Sequence, residues 1–347
     1  MSLETRVLER CHALGFARAG IADPAPTRYA RPLLDWLAAG RHGEMAYLQR
    51  HVALLLDPAG LLPGVRAIIC VADRYASGEP DPASPAFFGR IARYARGRDY
   101  HDVMRRRLHR LADELRADHP EHAFRVCVDT APLLEREYAE RAGIGAVGKH
   151  TLIIDRAVGS YLLLGELLTT LPLAASAPAP PDPCGACTRC IDACPTDAIT
   201  PWSVDATRCI SYVTIEHRTR TDAEIGVRSG DWIFGCDVCQ EVCPHNQPTE
   251  RTRGAAVEEA YIPRRTGFDL ASILEWRESD RREAFQTSAL KRAKLDMMKR
   301  NALIAAANAL AREPHARLRA RIEALAEVED ESALVRETAR AVLTRLG

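Results

Sequence analysis

The chain has 347 residues, with 47 Lys or Arg balanced by 47 Asp or Glu, so its formal charge is zero. That length exceeds one ordinary domain and predicts two or three. No apolar run approaches a membrane span, and the first residues carry neither the order of an export signal nor a twin arginine, so a monomeric cytoplasmic protein with reduced thiols and no membrane partner is expected.

In chain order, Leu3, Val7, Leu8 and Leu14 share one side of a helix over 3–14. Phe16 to Ile21 reads as a short strand, and a helix near Tyr29–Ala39 stops at Gly40. Val65 to Ala72 reads as a buried strand, and the Pro-, Gly- and Ser-rich segment 76–90 as a surface loop. A basic helix follows His101 and runs to about Asp118. The strand Phe124–Val128 runs into Asp129-Thr-Ala-Pro132, with a helix after it to about Ala142. Gly143-Ile-Gly-Ala-Val-Gly148 has the spacing of a dinucleotide loop, but it follows a helix rather than a strand, which argues against that reading. Thr151–Ile154 and Tyr161–Leu168 read as a strand pair around Gly159. Strands alternating with helices predict an α/β domain over 1–172.

Five prolines within 172–183 mark a linker. The next segment, 173–250, is dominated by cysteines. Cys184, Cys187, Cys190 and Cys194-Pro195 follow the C-x2-C-x2-C-x3-C-P run of bacterial two-cluster ferredoxins. Cys209, Cys236, Cys239 and Cys243-Pro244 repeat it, with 210–235 inserted after the first cysteine. In that pattern the fourth cysteine of each run serves the other cluster. Cys184, Cys187, Cys190 and Cys243 are therefore expected to hold one 4Fe–4S cluster, and Cys194, Cys209, Cys236 and Cys239 the second. Zinc ordinarily takes paired C-x2-C motifs, and disulfides do not suit a reduced compartment. Cys11, Cys70 and Cys127 lie in apolar surroundings and read as buried structural thiols.

A polar boundary is expected near 248–263, and a helical tail over 251–347. Within it, Lys299–Leu310 and Ser332–Leu343 resemble one another at a spacing of about 33 residues, which suggests HEAT-like repeats. The fold class expected is thus multidomain α+β. Charge is uneven: eight arginines stand between Arg90 and Arg110, and ten Lys or Arg between Arg281 and Arg319. Such patches are ordinarily solvated helix faces, but two on a neutral protein favour a polyanionic partner.

Asp129, at the end of a buried strand, is the sharpest catalytic candidate; taken alone, it reads first as an N-cap for the following helix. The set Arg93-Tyr-Ala, Gly97-Arg-Asp-Tyr-His101, Val128-Asp-Thr-Ala-Pro-Leu-Leu-Glu135-Arg136, Gly148-Lys-His-Thr151, Arg208-Cys-Ile-Ser211 and Cys239-Gln-Glu-Val-Cys-Pro244, with the cysteine runs, resembles the epoxyqueuosine reductases over nearly the whole chain. Two positions depart from that family: Ala146 and His245 stand where tryptophan is frequent.

The resemblance implies an oxidoreductase that completes queuosine synthesis on a tRNA anticodon. Its cofactors would be base-off cobalamin and two 4Fe–4S clusters, with electrons from an external donor of flavodoxin or ferredoxin type. Asp129 is then the proton donor, its pKa raised by burial. Cobalamin contacts are expected at Ala92, Tyr94, Ile153, Asp155, Ser160, Ser211 and Asp237. Phosphate contacts are expected at Arg98, Arg105–Arg107, Lys291, Arg292, Lys294, Lys299 and Arg300. The D-x-H-x-x-G signature of cobalt ligation is missing: Asp99-Tyr-His101 begins it, but Met104 replaces the glycine. A reductive dehalogenase shares the cofactors but is ordinarily exported, and a bare electron carrier has no use for the Asp129 segment.

Overall fold

In the computed structural model, which describes residues 1–249 and 257–347, the central strand is Ala67–Arg74 (β2), all eight of whose residues are buried. The other strands are β1 (Arg18–Ala22), β3 (Phe88–Ile91), β4 (Phe124–Cys127), β5 (Ala146–Val147), β6 (Ile153–Ile154), β7 (Leu162–Thr169), β8 (Ile199–Thr200), β9 (Ser203–Val204), β10 (Trp232–Phe234) and β11 (Gly267–Asp269). The main sheet has the order β1-β2-β7-β4, and every pair in it is antiparallel. This corrects the α/β expectation for the first domain. Antiparallel neighbours are joined at the same end of the sheet, so intervening helices need not be crossovers.

Alternation along β2 shows why it reads as one apolar run. Ala67, Ile69 and Val71 join the core under the helices Leu3–Ala13 and Tyr100–Asp118, with Val7, Met104, Leu108 and Leu111. Ile68, Cys70 and Ala72 face the opposite layer, with Tyr138 and Ala139 of the helix Glu135–Arg141. A sheet covered on both faces needs apolar residues at both parities. Gly20 of β1 lies so close to the Glu135–Arg141 helix that a Cβ there would stand 2.0 Å from the Ala142 carbonyl oxygen.

Two sequence expectations fail locally. Thr151–Ile154 and Tyr161–Leu168 do not pair: β6 pairs with β5, and β7 joins the main sheet between β2 and β4. The segment 76–90 is not all loop, because β3 begins at Phe88 and lies at the centre of a second sheet, β10-β3-β11. Its partners are more than 140 residues away, and a four-residue strand with such remote pairing leaves no local signal.

That second sheet takes one strand from each of the three expected domains, and one core cluster runs from Val7 to Val342. The expected boundaries mark changes in composition rather than separate cores. The proline-rich 172–183 is pinned to β1: Ser176 N–H donates to Ile21 O (2.8 Å), and Ile21 N–H to Ser176 Oγ (3.0 Å). The polar boundary expected near 248–263 lies partly outside the described residues. The tail is helical over Leu295–Leu310, Ala316–Glu327 and Ala333–Leu346, and these helices carry the two resembling segments. Among the described residues, no helix is long and apolar enough to cross a membrane.

Candidate active site and cluster-binding region

Cys184, Cys187, Cys190 and Cys243 line one pocket of about 230 Å³, together with His150, Pro183, Arg189, Pro244 and His245. The Lys149 N–H donates to Cys184 Sγ at 3.4 Å, and its ammonium ties down Gly185 O (2.6 Å) and Cys187 O (3.0 Å). The other four cysteines also gather. Cys194 Sγ accepts the Ala198 N–H at 3.3 Å. Burial, then Cys236 and Cys209, push the Cys239 thiol up, and Cys194 stands close enough to act on both Cys209 and Cys236. Mutual repulsion of this kind is relieved when thiolates bind iron. Cys11, Cys70 and Cys127 are buried, as expected.

The Asp129 segment forms a loop between β4 and the Glu135–Arg141 helix. Asp129 does not cap that helix, whose first flanking residue is Leu134, with no side-chain cap. Instead it adopts φ 53°, a left-handed conformation that costs a non-glycine residue roughly 1–2 kcal/mol. Bonds on two sides hold it there. Its N–H donates to a Glu135 carboxyl oxygen, and its Oδ2 meets His101 Nε2 at 2.9 Å. His101 Nδ1 meets Asp99 Oδ1 at 2.7 Å, and Asp99 Oδ2 lies 2.7 Å from Lys291 Nζ. Arg105 donates to Thr130 Oγ1 at 2.7 Å and pins the neighbouring residue.

This chain corrects the expected electrostatics. Burial favours a raised Asp129 pKa, but the hydrogen bond and charge of His101 outweigh it, and the carboxyl sits below its ordinary value. Burial also opposes a charged His101, yet its bonds to Asp129 and Asp99 lift it to about 9. Burial is likewise outweighed at Asp99, which falls to about 2 under His101 and Lys291. Near neutral pH the pair is a carboxylate beside an imidazolium, so the stored proton is on His101.

Protein lies around Asp129 and Arg136 on most sides, yet Arg136 is exposed and 53% of the Asp129 side chain is open. Both therefore line a recess. Arg136 donates to Thr151 O and Oγ1 (3.1 Å each), and it feels Glu135, Asp129, Cys239 and Cys209. Arg136 thus stands within electrostatic reach of both Asp129 and the second cysteine set. A larger cavity of about 720 Å³ lies elsewhere, between the 78–88 segment and Ala305, Ala309 and Arg312, and touches none of these groups.

The residues expected around the cofactor fall into two kinds. Tyr94 and Ser211 keep open surface, whereas Ala92 and Ile153 are buried. Polar atoms of the other three already have protein partners. Asp155 pairs with Arg18 at 2.5 Å, the Ser160 hydroxyl donates to Gln240 Oε1 at 3.0 Å, and Asp237 Oδ2 accepts the Arg93 N–H at 2.7 Å.

Among the cations expected on phosphates, Arg98, Arg106, Lys291, Arg292 and Lys294 are exposed. Arg292 also pairs with Glu216 at 2.5 Å. Three others are corrected. Arg300 is fully buried and Lys299 nearly so, with Lys299 Nζ 2.5 Å from Glu331. Arg107 turns inward to Asp73 and lies over the Phe16 ring. Their helices carry basic residues on inner faces as well as outer ones, which a count of charges does not separate.

Sequence reasoning missed Glu135 and Glu166 as members of this site. An acid at 166, inside the apolar run Tyr161–Leu168, was the available signal.

A cysteine-rich region packed into an α+β core, with an acid–imidazole pair in an adjoining recess, is the architecture of an iron–sulfur oxidoreductase. In agreement, residues 183–246 match the family described as 4Fe-4S double cluster binding domain. Residues 56–130 match the family described as Epoxyqueuosine reductase QueG, DUF1730. The epoxyqueuosine reductase of Synechococcus sp. (strain RCC307) is 44% identical over 310 residues, covering 86% of this chain and 91% of the relative. The chain belongs to the epoxyqueuosine reductase family. A crystal structure of epoxyqueuosine reductase with an epoxyqueuosine-modified tRNA-Tyr stem loop superposes with a TM-score of 0.89 at 28% identity, covering 99% of this chain and 90% of that one. A Bacillus subtilis epoxyqueuosine reductase, with its catalytic aspartate loop swung out of the active site, gives 0.87 at 28% identity over the same shares.

Proposed function

We propose that this chain reduces epoxyqueuosine at the wobble position of a tRNA anticodon to queuosine. The epoxide oxygen leaves as water and a C=C bond forms, which takes two electrons and two protons. The observation that carries this reading is the Asp129–His101 pair, with Arg136 in electrostatic reach of both Asp129 and the second cysteine set. Among the seven expected contact residues, Tyr94 and Ser211 keep side-chain surface that a ligand can reach.

The donor sets fit the groups the family reading requires. Cys184, Cys187, Cys190 and Cys243 would hold one 4Fe–4S cluster, and Cys194, Cys209, Cys236 and Cys239 the other, supplying single electrons. The open surface at Asp129 and Arg136 lies toward the second cysteine set, and we assign it to cobalamin. Bound there, cobalamin would supply a low-valent metal centre able to donate an electron pair. Both nitrogens of His101 are engaged by carboxylates, which leaves it unsuited to serve as a cobalt ligand and accords with a base-off cofactor.

The chain's own groups then have definite tasks. His101, charged below about pH 9, passes its proton through the Asp129 carboxylate to the departing epoxide oxygen, and solvent supplies the second proton. Asp99 and Lys291 hold the imidazole in place. The Asp129 loop moves out to admit the nucleotide; in the Bacillus subtilis relative the catalytic aspartate loop is swung out of the active site. Arg98, Arg106, Lys291, Arg292 and Lys294 position the anticodon stem through its phosphates. An external one-electron donor of flavodoxin or ferredoxin type docks at the cluster farther from Asp129.

The test begins with protein purified without oxygen and reconstituted with cobalamin. About eight irons and one cobalt per chain, a base-off EPR signal and conversion of epoxyqueuosine tRNA under strong reductant are expected. Eight irons with no retained cobalt and no turnover would overturn the reading and leave an electron carrier.

A further inference from the structure

Behind Asp129 lies a second pair of acids that the reaction above leaves unused. Glu135 opens the Glu135–Arg141 helix and accepts the Asp129 N–H. Glu166 stands in the middle of β7 with none of its surface exposed. The two carboxyls are near enough to act on one another, and both Glu166 oxygens are buried without a hydrogen-bond partner among the described residues. At the level of Glu166 the flanking strands present Cys70 of β2 and Cys127 of β4, both buried thiols. The other ionisable groups that act on Glu135 are Asp129 in the loop, Tyr100 of the Tyr100–Asp118 helix, and Arg136 on its own helix.

A carboxylate in the middle of a covered sheet is costly when charged, so these acids keep their protons far above the usual range. Burial first, and the Asp129 charge second, push Glu135 up to about 8. Burial and Glu135 push Glu166 well above its ordinary value. Glu135, at the start of its helix, keeps some exposed surface and Glu166 has none, so Glu135 is the one of the two that solvent can reach.

We propose that Glu135, backed by Glu166, is a positioning residue that latches the Asp129 loop over the recess, and that the latch opens when Glu135 loses its proton. The proposal rests on the reading of Asp129 as the acid of the site. A neutral Glu135 offers its carbonyl oxygen to the Asp129 N–H and holds the left-handed turn without placing charge beside the Asp129 carboxylate. An ionised Glu135 adds a second negative charge at the same residue. Repulsion between two full charges at such range exceeds what one neutral N–H gains by facing a charge. The loop then favours its outward position.

Hydrogen exchange of segment 128–134 in the cluster-loaded protein, followed by mass spectrometry without tRNA, tests this directly. After allowance for base catalysis, protection should fall by about tenfold between pH 7 and 9, as Glu135 ionises with a midpoint near 8. Glu135→Gln keeps the carbonyl acceptor and cannot ionise, so its protection should persist through pH 9. Glu166→Gln turns an N–H toward Glu135, favours the charged form, and should move the loss of protection to lower pH. General loosening would instead raise exchange at every pH in both variants. A wild-type midpoint retained in Glu135→Gln overturns the proposal. Should that variant not fold, an unmoved midpoint in Glu166→Gln does so alone. No turnover is needed, so a chain that left epoxyqueuosine tRNA unchanged would fail the functional reading while the latch could still be judged.

Discussion

Arg300 separates charge in the sequence from charge on the surface. Its guanidinium donates to His217 O (2.7 Å), Thr219 O (2.8 Å) and Val213 O (2.6 Å), and twice to Asn301 Oδ1 (3.0 and 2.8 Å). Burial lowers its pKa only to about 10, so it remains charged at neutral pH. In Arg300→Ala three carbonyls lose their donor where none of the side chain had met water. Hydrogen bonds to charged groups contribute about 1.5–3 kcal/mol each, so three give roughly 4–9 kcal/mol. The lower end applies, because deleting the charge also removes its desolvation cost. At about 2 °C per kcal/mol for a chain of this size, the melting temperature should fall by roughly 8 °C. Melting followed by circular dichroism under argon, at one scan rate for both proteins, measures it. Binding of an anticodon stem loop against salt supplies the contrast. Losing a phosphate contact flattens the log–log slope by about 0.7–0.9, whereas Arg300→Ala should leave it unchanged. A variant that melts with wild type and binds with a flatter slope would put Arg300 on the nucleic-acid surface and refute the burial argument.

Lys291→Ala removes the cation 2.7 Å from Asp99, so Asp99 should rise and hold His101 less firmly. His101 is raised above its ordinary 6.5, so the activity it supports is present below that value and lost as pH climbs through about 9; the alkaline limb of kcat should move down in the variant, and an unmoved limb would detach Lys291 from the proton path. Cys194→Ser should cut iron from about eight to about four per chain, and adding Cys236→Ser should remove no more, since both belong to one set. A further loss of iron in the double variant would show that the two cysteines serve different clusters.

What was legible followed from local chemistry. The cysteine spacing pointed to two four-sulfur sets, because a cluster imposes its geometry on a few neighbouring residues, and Cys184, Cys187, Cys190 and Cys243 line one pocket. Helices with an apolar stripe, such as Leu3–Ala13, were found to within a residue or two. What failed was non-local. The antiparallel order β1-β2-β7-β4 depends on which strands meet, and β3 exists because β10 and β11 pair with it. The protonation of Asp129 belongs to the same class. Burial alone argued for a raised value, but the deciding partner, His101, lies 28 residues away. Lys299 and Arg300 show the limit of charge counting, since both turn inward to partners at Glu331 and Val213.

The unforeseen second sheet explains why Asp129 and the second cysteine set lie near one another. β3 and β10 run parallel, so their C-terminal ends emerge side by side. Beyond β10 the chain turns through Gly235 into Cys236, Asp237 and Cys239; beyond β3 it passes Ala92 and Tyr94 and starts the helix that bears His101. Two bonds lock these exits together, Ala92 N–H to Phe234 O (2.8 Å) and Arg93 N–H to Asp237 Oδ2 (2.7 Å). At the join, Gly235 has φ 70°, and a Cβ there would stand 2.5 Å from that of Ala92. The distance from the second cysteine set to His101, and through it to Asp129, is therefore set by one short strand pair rather than by the docking of separate domains. A shift between β3 and β10 would move the second cysteine set and the Asp129–His101 pair relative to one another, which is reason enough for a four-residue strand in a polar loop to be held from both sides.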